Sequence, residues 1–317
     1  MNIAISVIVP VYNVAPYIER CARSLFEQTF QNVEYIFVDD SSPDNSIDIL
    51  QKVISEYPHR AKHTKIVRNK KNMGLAATRF IGFDEATGDY ILHCDSDDWV
   101  ERNMLQCMYE KAISEKADIV CCEVIKERDN EQILFRYTYD EETLENGLLD
   151  LKIEEIHVAI WNKLVKKELY TQHNIRNYEG INMGEDSAIT TRLRFFSKKT
   201  VIIHKPFYHY NRVSNGSMTQ TLKESNAFMQ IKLCGHIEDF FSQNYKNDDF
   251  RPLINFYKFI SKQYYLTQKR DIKKWRSIFP ECHRDIIKFK QYPIAKRIKW
   301  ILCAYTPGLE YIIKPKK

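Results

Sequence analysis

Three short apolar runs in the first hundred residues each stop at a polar or acidic cluster, and that pattern leaves few folds open. Ile5 to Pro10 runs into Val11, Tyr12 and Asn13; Tyr35 to Val38 runs into Asp39, Asp40, Ser41 and Ser42; Tyr90 to Cys94 runs into Asp95, Ser96, Asp97 and Asp98. Unbroken, β-branched runs of this length read as strands covered on both faces. Helical spacing fills the gaps. Ile18, Cys21 and Leu25 share a face over 15–28; Ile47, Leu50, Val53 and Ile54 follow a cap at Asp44 or Asn45; a third helix runs from Gly74 to Ala86. A strand at Lys65 to Val67, a helix from Arg102 to Glu115 and a strand at Ile119 to Val124 continue the alternation. The expected class is α/β, a Rossmann-like, mostly parallel sheet flanked by helices.

The second half is more mixed. Gln132 to Tyr139 reads as a strand, Asp140 to Leu151 as a helix, and Glu185 to Phe196 as a helix followed by a strand at Thr200 to His204. Beyond Leu222 the pattern turns helical and basic, with Phe228 to Phe241 and Ile254 to Tyr265 amphipathic. This predicts a helical C-terminal extension and three regions: 1–100, 101–221 and 222–317.

Charge separates the same regions. From Arg251 onward there are 17 Lys or Arg against four Asp or Glu, which leaves 30 basic and 38 acidic side chains in the first 250 residues. A nucleic-acid binder would be basic throughout, so no nucleic-acid partner is expected. A basic tail favours an anionic surface. Between Lys288 and Lys317, Lys288, Lys290, Lys296, Arg297 and Lys299 interleave with Phe289, Ile294, Ile298, Trp300, Ile301 and Leu302. That reads either as an interfacial helix or as one packing its apolar face on the body, and Pro293 and Pro307 keep it short. Eight scattered cysteines without a CxxC pair fit reduced thiols inside a cell. The start of the chain lacks the charged region of a signal peptide, and no window approaches the ~20 apolar residues of a membrane span. The expected location is cytoplasmic, or peripheral on the inner face of the cell membrane.

In open α/β sheets, ligands bind at the carboxyl ends of the strands. Acidic groups gathered there repel one another unless a cation, a nucleotide hydroxyl or a base N–H stands between them. A divalent ion shared with a diphosphate would meet that need. Taken singly, Asp95 to Asp98 could equally be a solvated helix-capping loop, and Asp40 a turn residue.

The order of these motifs narrows the choice. Val7 to Asn13, Val38 to Ser46, Asn72 to Arg79 and Gly88 to Trp99 closely resemble the family 2 glycosyltransferases with the GT-A fold. The resemblance resumes at Trp161 to Leu164, Gly184 to Asp186, Tyr208 to Arg212 and Ser217. It implies an inverting, metal-dependent enzyme of bacterial surface-polysaccharide type: capsule, O-antigen or exopolysaccharide synthesis. The donor would be a UDP-sugar carrying a hexose or N-acetylhexosamine, and the acceptor a glycan hydroxyl, with a lipid-linked acceptor making membrane proximity useful. Residues 1–100 would be the nucleotide-sugar half and 101–221 the acceptor half.

The resemblance also distributes roles. Pro10, Tyr12, Asp40, Arg79, Asp95 and Ser96 would bind the nucleotide-sugar, with Tyr12 against the base and Asp40 accepting from it. Asp97, with Asp95, would hold Mn2+ or Mg2+. His209 would complete the metal shell or serve as a structural histidine. Asp186 would be the general base. Trp161, Lys163, Glu185 and Arg212 would lie near acceptor or phosphates, with core packing the alternative for Trp161. Where the family commonly has glycine, this chain has Ser41, which is tolerated if that position does not need positive φ. Two other classes stay open: a non-catalytic nucleotide-sugar binding subunit and a sugar nucleotidyltransferase. Keeping both Asp97 and Asp186 argues against the first. The second would be expected to have a Gly-rich basic loop after the first strand, where this chain has Pro10 to Asn13.

Overall fold

The computed structural model describes residues 3–128, 131–137, 140–142, 158–212, 223–244, 250–306 and 308. The chain forms two compact units, one of Met1–Thr143 with Val158–Ser217 and one of Leu144–His157 with Met218–Lys317.

The first unit is built on one sheet with ten described strands. Its centre is β1 (Ile5–Val11), buried at every position, with Ser6, its one polar residue, donating to Glu34 Oε1 at 2.7 Å. It pairs in parallel with β2 (Val33–Asp39) and with β4 (Tyr90–His93), and β2 pairs in parallel with β3 (Thr64–Arg68). The β4 ladder ends at Ile8 opposite His93, so Pro10, which has no N–H to give, lies past it. Three helices follow the predicted spacing: α1 (Ile18–Phe26), α2 (Ser46–Glu56) and, after the four-residue α3 (Pro58–Ala61), α4 (Leu75–Glu85). In α1 the buried set Ile18, Cys21, Ala22, Leu25 and Phe26 keeps one face inward. Helix α4 lies close on β1 and β2 at Gly82, where a Cβ would stand 2.5 Å from the Ile8 side chain and 3.0 Å from that of Val38.

The rest of the sheet is mixed. The two-residue β5 (Trp99–Val100) and α5 (Met104–Glu115) lead to β6 (Ile119–Arg128), which turns back as β7 (Glu131–Phe135). The predicted helix from Asp140 begins instead with a two-residue strand, β8 (Glu141–Glu142), paired to Thr200 and Val201; its remainder lies outside the described residues. Consecutive glutamates favour helix in isolation, and sheet pairing overrides that weak preference. Short β9 (Lys163–Lys166) runs antiparallel to both β4 and β6. After α6 (Lys167–Gln172) and α7 (Glu185–Phe196), β10 (Thr200–Asn211) pairs in parallel with β6 along its length and antiparallel with β5. The two longest ladders, β1–β2 and β6–β10, are both parallel.

The second unit is helical: α8 (Glu224–Asn244), α9 (Arg251–Ser261), α10 (Gln263–Thr267), α11 (Ile272–Ser277), a 3-10 helix (Pro280–Lys288) and α12 (Ile294–Tyr305). Its core is aromatic, with Phe259 packed edge-on or tilted against Trp275, Phe289 and Trp300. All eight cysteines are free, and among the described residues no helix is long and apolar enough to cross a membrane.

Candidate active site

The site lies where β1, β2 and β4 end. After β1, Tyr12 is 47% exposed and Asn13 adopts the left-handed conformation at φ +55°. Asn13 and Ala15 donate backbone N–H groups to Ser42 Oγ at 2.8 Å and Asp44 Oδ2 at 2.8 Å, so the loop after β2 fixes the loop after β1. Ser41 sits at φ +60°. The position does require positive φ, and a serine meets that requirement at a cost of about 1–2 kcal/mol that glycine would not incur.

Asp40 is buried and organises the next loop. Its Oδ1 accepts from Asn69 Nδ2 at 2.8 Å and Met73 N at 2.7 Å, and its Oδ2 accepts from Gly74 N at 2.9 Å. Oδ2 keeps an acceptor position for one further donor. Gly74 stands at φ +85°, and a Cβ there would come within 2.5 Å of the Asn182 side chain. Asn182 Oδ1 in turn accepts from Ala76 N at 3.3 Å. Two residues beyond Asn182, Gly184 opens α7, and this contact therefore joins the segment that presents Asp186 to the start of α4.

Arg79, on α4, is the hub. Its guanidinium is buried, donating to Asp95 Oδ1 at 2.6 Å, with Glu185 Oε1 and Asp186 Oδ1 each 3.6 Å away. Arg79 Nε, Arg79 Nη1 and Asp186 Oδ1 are buried without a hydrogen-bond partner. Burial, then the Asp186 and Asp97 charges, push Asp95 up to about 6 against the pull of Arg79. Burial and the neighbouring Asp186 likewise hold Glu185 well above the usual carboxylate range. One guanidinium thus offsets a larger negative charge, a costly arrangement without a further cation.

Residues 95–98 form a turn closed by Asp98 N donating to Asp95 O at 3.1 Å, well before α5 begins, so this cluster is not a helix cap. Ser96 is buried in it and Asp97 half-buried. Asp98 had no role in the sequence reading, yet it is fully buried: Tyr208 Oη donates to its Oδ2 at 2.7 Å and Asn211 N to its Oδ1 at 2.7 Å. Tyr208 Oη also accepts from Asp95 N at 3.1 Å, and Asn211 Nδ2 donates to Asp97 O at 3.1 Å. Strand β10 therefore holds the acidic turn from behind. No local pattern reveals this pairing, because its partners are more than a hundred residues apart.

The other expected site residues divide. Trp161 is buried and stacked on Tyr208 and Tyr210, at 4.5 and 5.1 Å between centroids, and Arg212 Nη1 donates to Tyr210 Oη at 3.2 Å. Lys163 points into the protein, its Nζ donating to Ala159 O at 2.7 Å and Asn162 Oδ1 at 2.8 Å. His209 has both ring nitrogens engaged, by Glu127 and Glu101 at 2.8 Å each, and its ring is stacked on Trp99. In this arrangement both His209 ring nitrogens are taken, and Lys163 Nζ is turned toward Ala159 and Asn162.

An all-oxygen, negatively charged donor set suits a hard divalent ion. Among the described residues no three His, Cys, Asp or Glu side chains converge into a ready-made shell, so the protein would supply only part of one. The residues fit an ion completed by ligand oxygens.

Residues 6–171 match the family model described as glycosyl transferase family 2. The chain belongs to that family. Among its relatives, glycosyltransferase GlyA of Streptococcus pneumoniae is 30% identical over 69% of this chain, which spans only 32% of GlyA. EpsH of Bacillus subtilis is also 30% identical, over 80% of this chain and 73% of its own length. In three dimensions the chain is similar to S. aureus TarS 1-349, solved in complex with UDP-GlcNAc, with a TM-score of 0.69 and 17% identity over 94% of this chain and 81% of TarS 1-349. That likeness establishes the GT-A fold of this family member.

Proposed function

We propose that this chain transfers a hexose or N-acetylhexosamine from a UDP-sugar to a hydroxyl of a glycan acceptor, with inversion, in the synthesis of a bacterial surface polysaccharide. The observation that carries the reading is the Arg79 cluster, which sets the acidic turn at Asp95 and the α7 carboxylate Asp186 on one guanidinium. Donor chemistry and a proton acceptor are thereby held side by side. TarS, of like fold, binds UDP-GlcNAc, and the relatives named as glycosyltransferases support the reaction class.

In this reading the exposed Tyr12 ring stacks on the uracil, and the open acceptor position of Asp40 takes a base N–H. Asp97 and Asp95 would hold Mn2+ or Mg2+, whose charge offsets that developing on the departing diphosphate. Asp186 takes the proton of the acceptor hydroxyl as its oxygen attacks the anomeric carbon opposite the diphosphate. The new C–O bond forms as the bond to the diphosphate breaks, UDP leaves with that electron pair, and the configuration inverts. Trp161 and Arg212, joined through Tyr210, would lie near the acceptor.

Two variants test this. Asp186→Asn should bind UDP normally while turnover falls by about 10²–10⁴; undiminished turnover removes Asp186 as the base. Asp97→Ala should abolish Mn2+-dependent release of UDP from a panel of UDP-sugars, and full activity in that variant rejects the metal assignment.

A further inference from the structure

Helix α12 has one face committed and one face bare. Trp300 and Cys303 are buried, and Trp300 meets Phe259 and Tyr292 edge-on at 4.8 Å each. Arg276 caps the end of the helix, its Nε donating to Cys303 O and its Nη2 to Thr306 O, both at 2.6 Å. The helix is therefore anchored in the unit. On its outer side Ile294, Ile298, Leu302 and Tyr305 follow at intervals of four, four and three residues, which aligns them in one stripe. Together with Ile287, whose carbonyl accepts from Arg297 Nη1, they are 45 to 60% exposed. Such a row of large apolar side chains is uncommon on a free surface.

What would cover the stripe is indicated by charge. From Ile286 to Leu309 the chain carries Lys288, Lys290, Lys296, Arg297 and Lys299 and not one Asp or Glu. Arg297 and Lys299 are the immediate neighbours of Ile298, so at ~100° per residue they flank the stripe on its two sides. A second copy of the helix would bring these like charges together, and a nucleic acid would have no use for the aliphatic row. An anionic bilayer satisfies both features: the stripe enters the acyl boundary while the flanking cations meet lipid phosphates. We propose that the outer face of α12 is a docking surface for anionic lipid membranes.

The test is co-sedimentation of the full chain with vesicles of phosphatidylcholine alone or mixed with phosphatidylglycerol, at low and high salt, without donor or metal. It is thus independent of the catalytic reading. Binding should require phosphatidylglycerol and weaken with salt. Lys299→Gln should lower affinity by about fivefold. Ile298→Asp with Leu302→Asp should lower it by at least about tenfold, with Ile298→Gln and Leu302→Gln as the milder pair should the first misfold. Failure of the wild type to bind at low salt, equal binding to both vesicles, or unchanged binding in the paired variants overturns the proposal. So does a dimer in size-exclusion chromatography that the same substitutions dissociate, which would make the stripe a self-interface.

Discussion

In the helical unit, buried Lys258 lies between Glu238 and Glu281 at 2.8 and 2.9 Å, and buried Lys262 donates to Ile278 O at 2.7 Å and contacts His283 Nε2 at 2.6 Å. Asp285 is met by Asn255 and Lys288. Each of these three buried groups has its partner within the unit. In the α/β unit the same kinds of groups are left out of balance, with Asp95, Glu185 and Asp186 arranged around Arg79 and with donors and an acceptor unused. Burying ions is costly in both places. In the helical unit that cost is met internally, and around Arg79 the proposed metal ion would help to meet it.

Removing the central cation should break this contrast most visibly. Arg79→Met leaves clustered carboxylates uncompensated and should cost about 3–5 kcal/mol in urea unfolding, recovered in part at acidic pH. Lys262→Met leaves only carbonyls and a neutral ring without their donor, and should cost about 1–3 kcal/mol. Equal losses in the two variants would erase the distinction.

The units should also answer pH in opposite senses. Asp95 is raised to about 6, so between about 4 and 6 the folded chain keeps a proton that the unfolded chain has lost, and stability falls as pH rises. His283 is lowered to about 4 by burial, then by Lys262, so the unfolded chain holds the extra proton up to about 6.5 and stability rises with pH. Hydrogen exchange followed separately in each unit at pH 4.5 and 6 would show the divergence, and parallel changes would refute it. Mn2+ should remove the fall in the α/β unit alone.

Smaller effects sharpen the picture. Tyr208→Phe deprives buried Asp98 of one of its two donors and should cost about 1–3 kcal/mol, measured as a lower melting temperature. Smallest is the backbone pair. Ser41→Gly should add about 0.5–1 kcal/mol. Phe279→Gly at φ +48° should not, because its ring packs beneath Lys258 Nζ at 5.3 Å and Lys262 holds the adjoining carbonyl.

Apart from the four-residue α3 and the two-residue β5, the strands and helices up to Val124 were legible because each carries its own periodicity. Helix α7 was equally plain from Glu185 to Phe196, and the motif order gave the family. What stayed hidden depends on partners far along the chain. Lys163 to Lys166 is too short and too polar at its ends to announce β9, and its inward lysine reads like a surface one. Arg79 could be assigned to the nucleotide side, but nothing local tells that it also faces Glu185 and Asp186. Asp98 looked like its acidic neighbours, although its burial against Tyr208 gives it a different task. For Ser41, positive φ is a property of the turn and not of the residue.

The hold of β10 on the acidic turn bears on when the site comes into being. Asp98 is joined to Tyr208 and Asn211 across 110 and 113 residues, and Ala76 to Asn182 across 106. Contacts of that span are entropically slow to close. During synthesis the acidic turn emerges while its clasp is still untranslated, and Asp98 remains in water until β10 slots between β6 and β5. Closure of the acidic turn is therefore a late event in folding, reached only when the α/β unit is complete through Asn211.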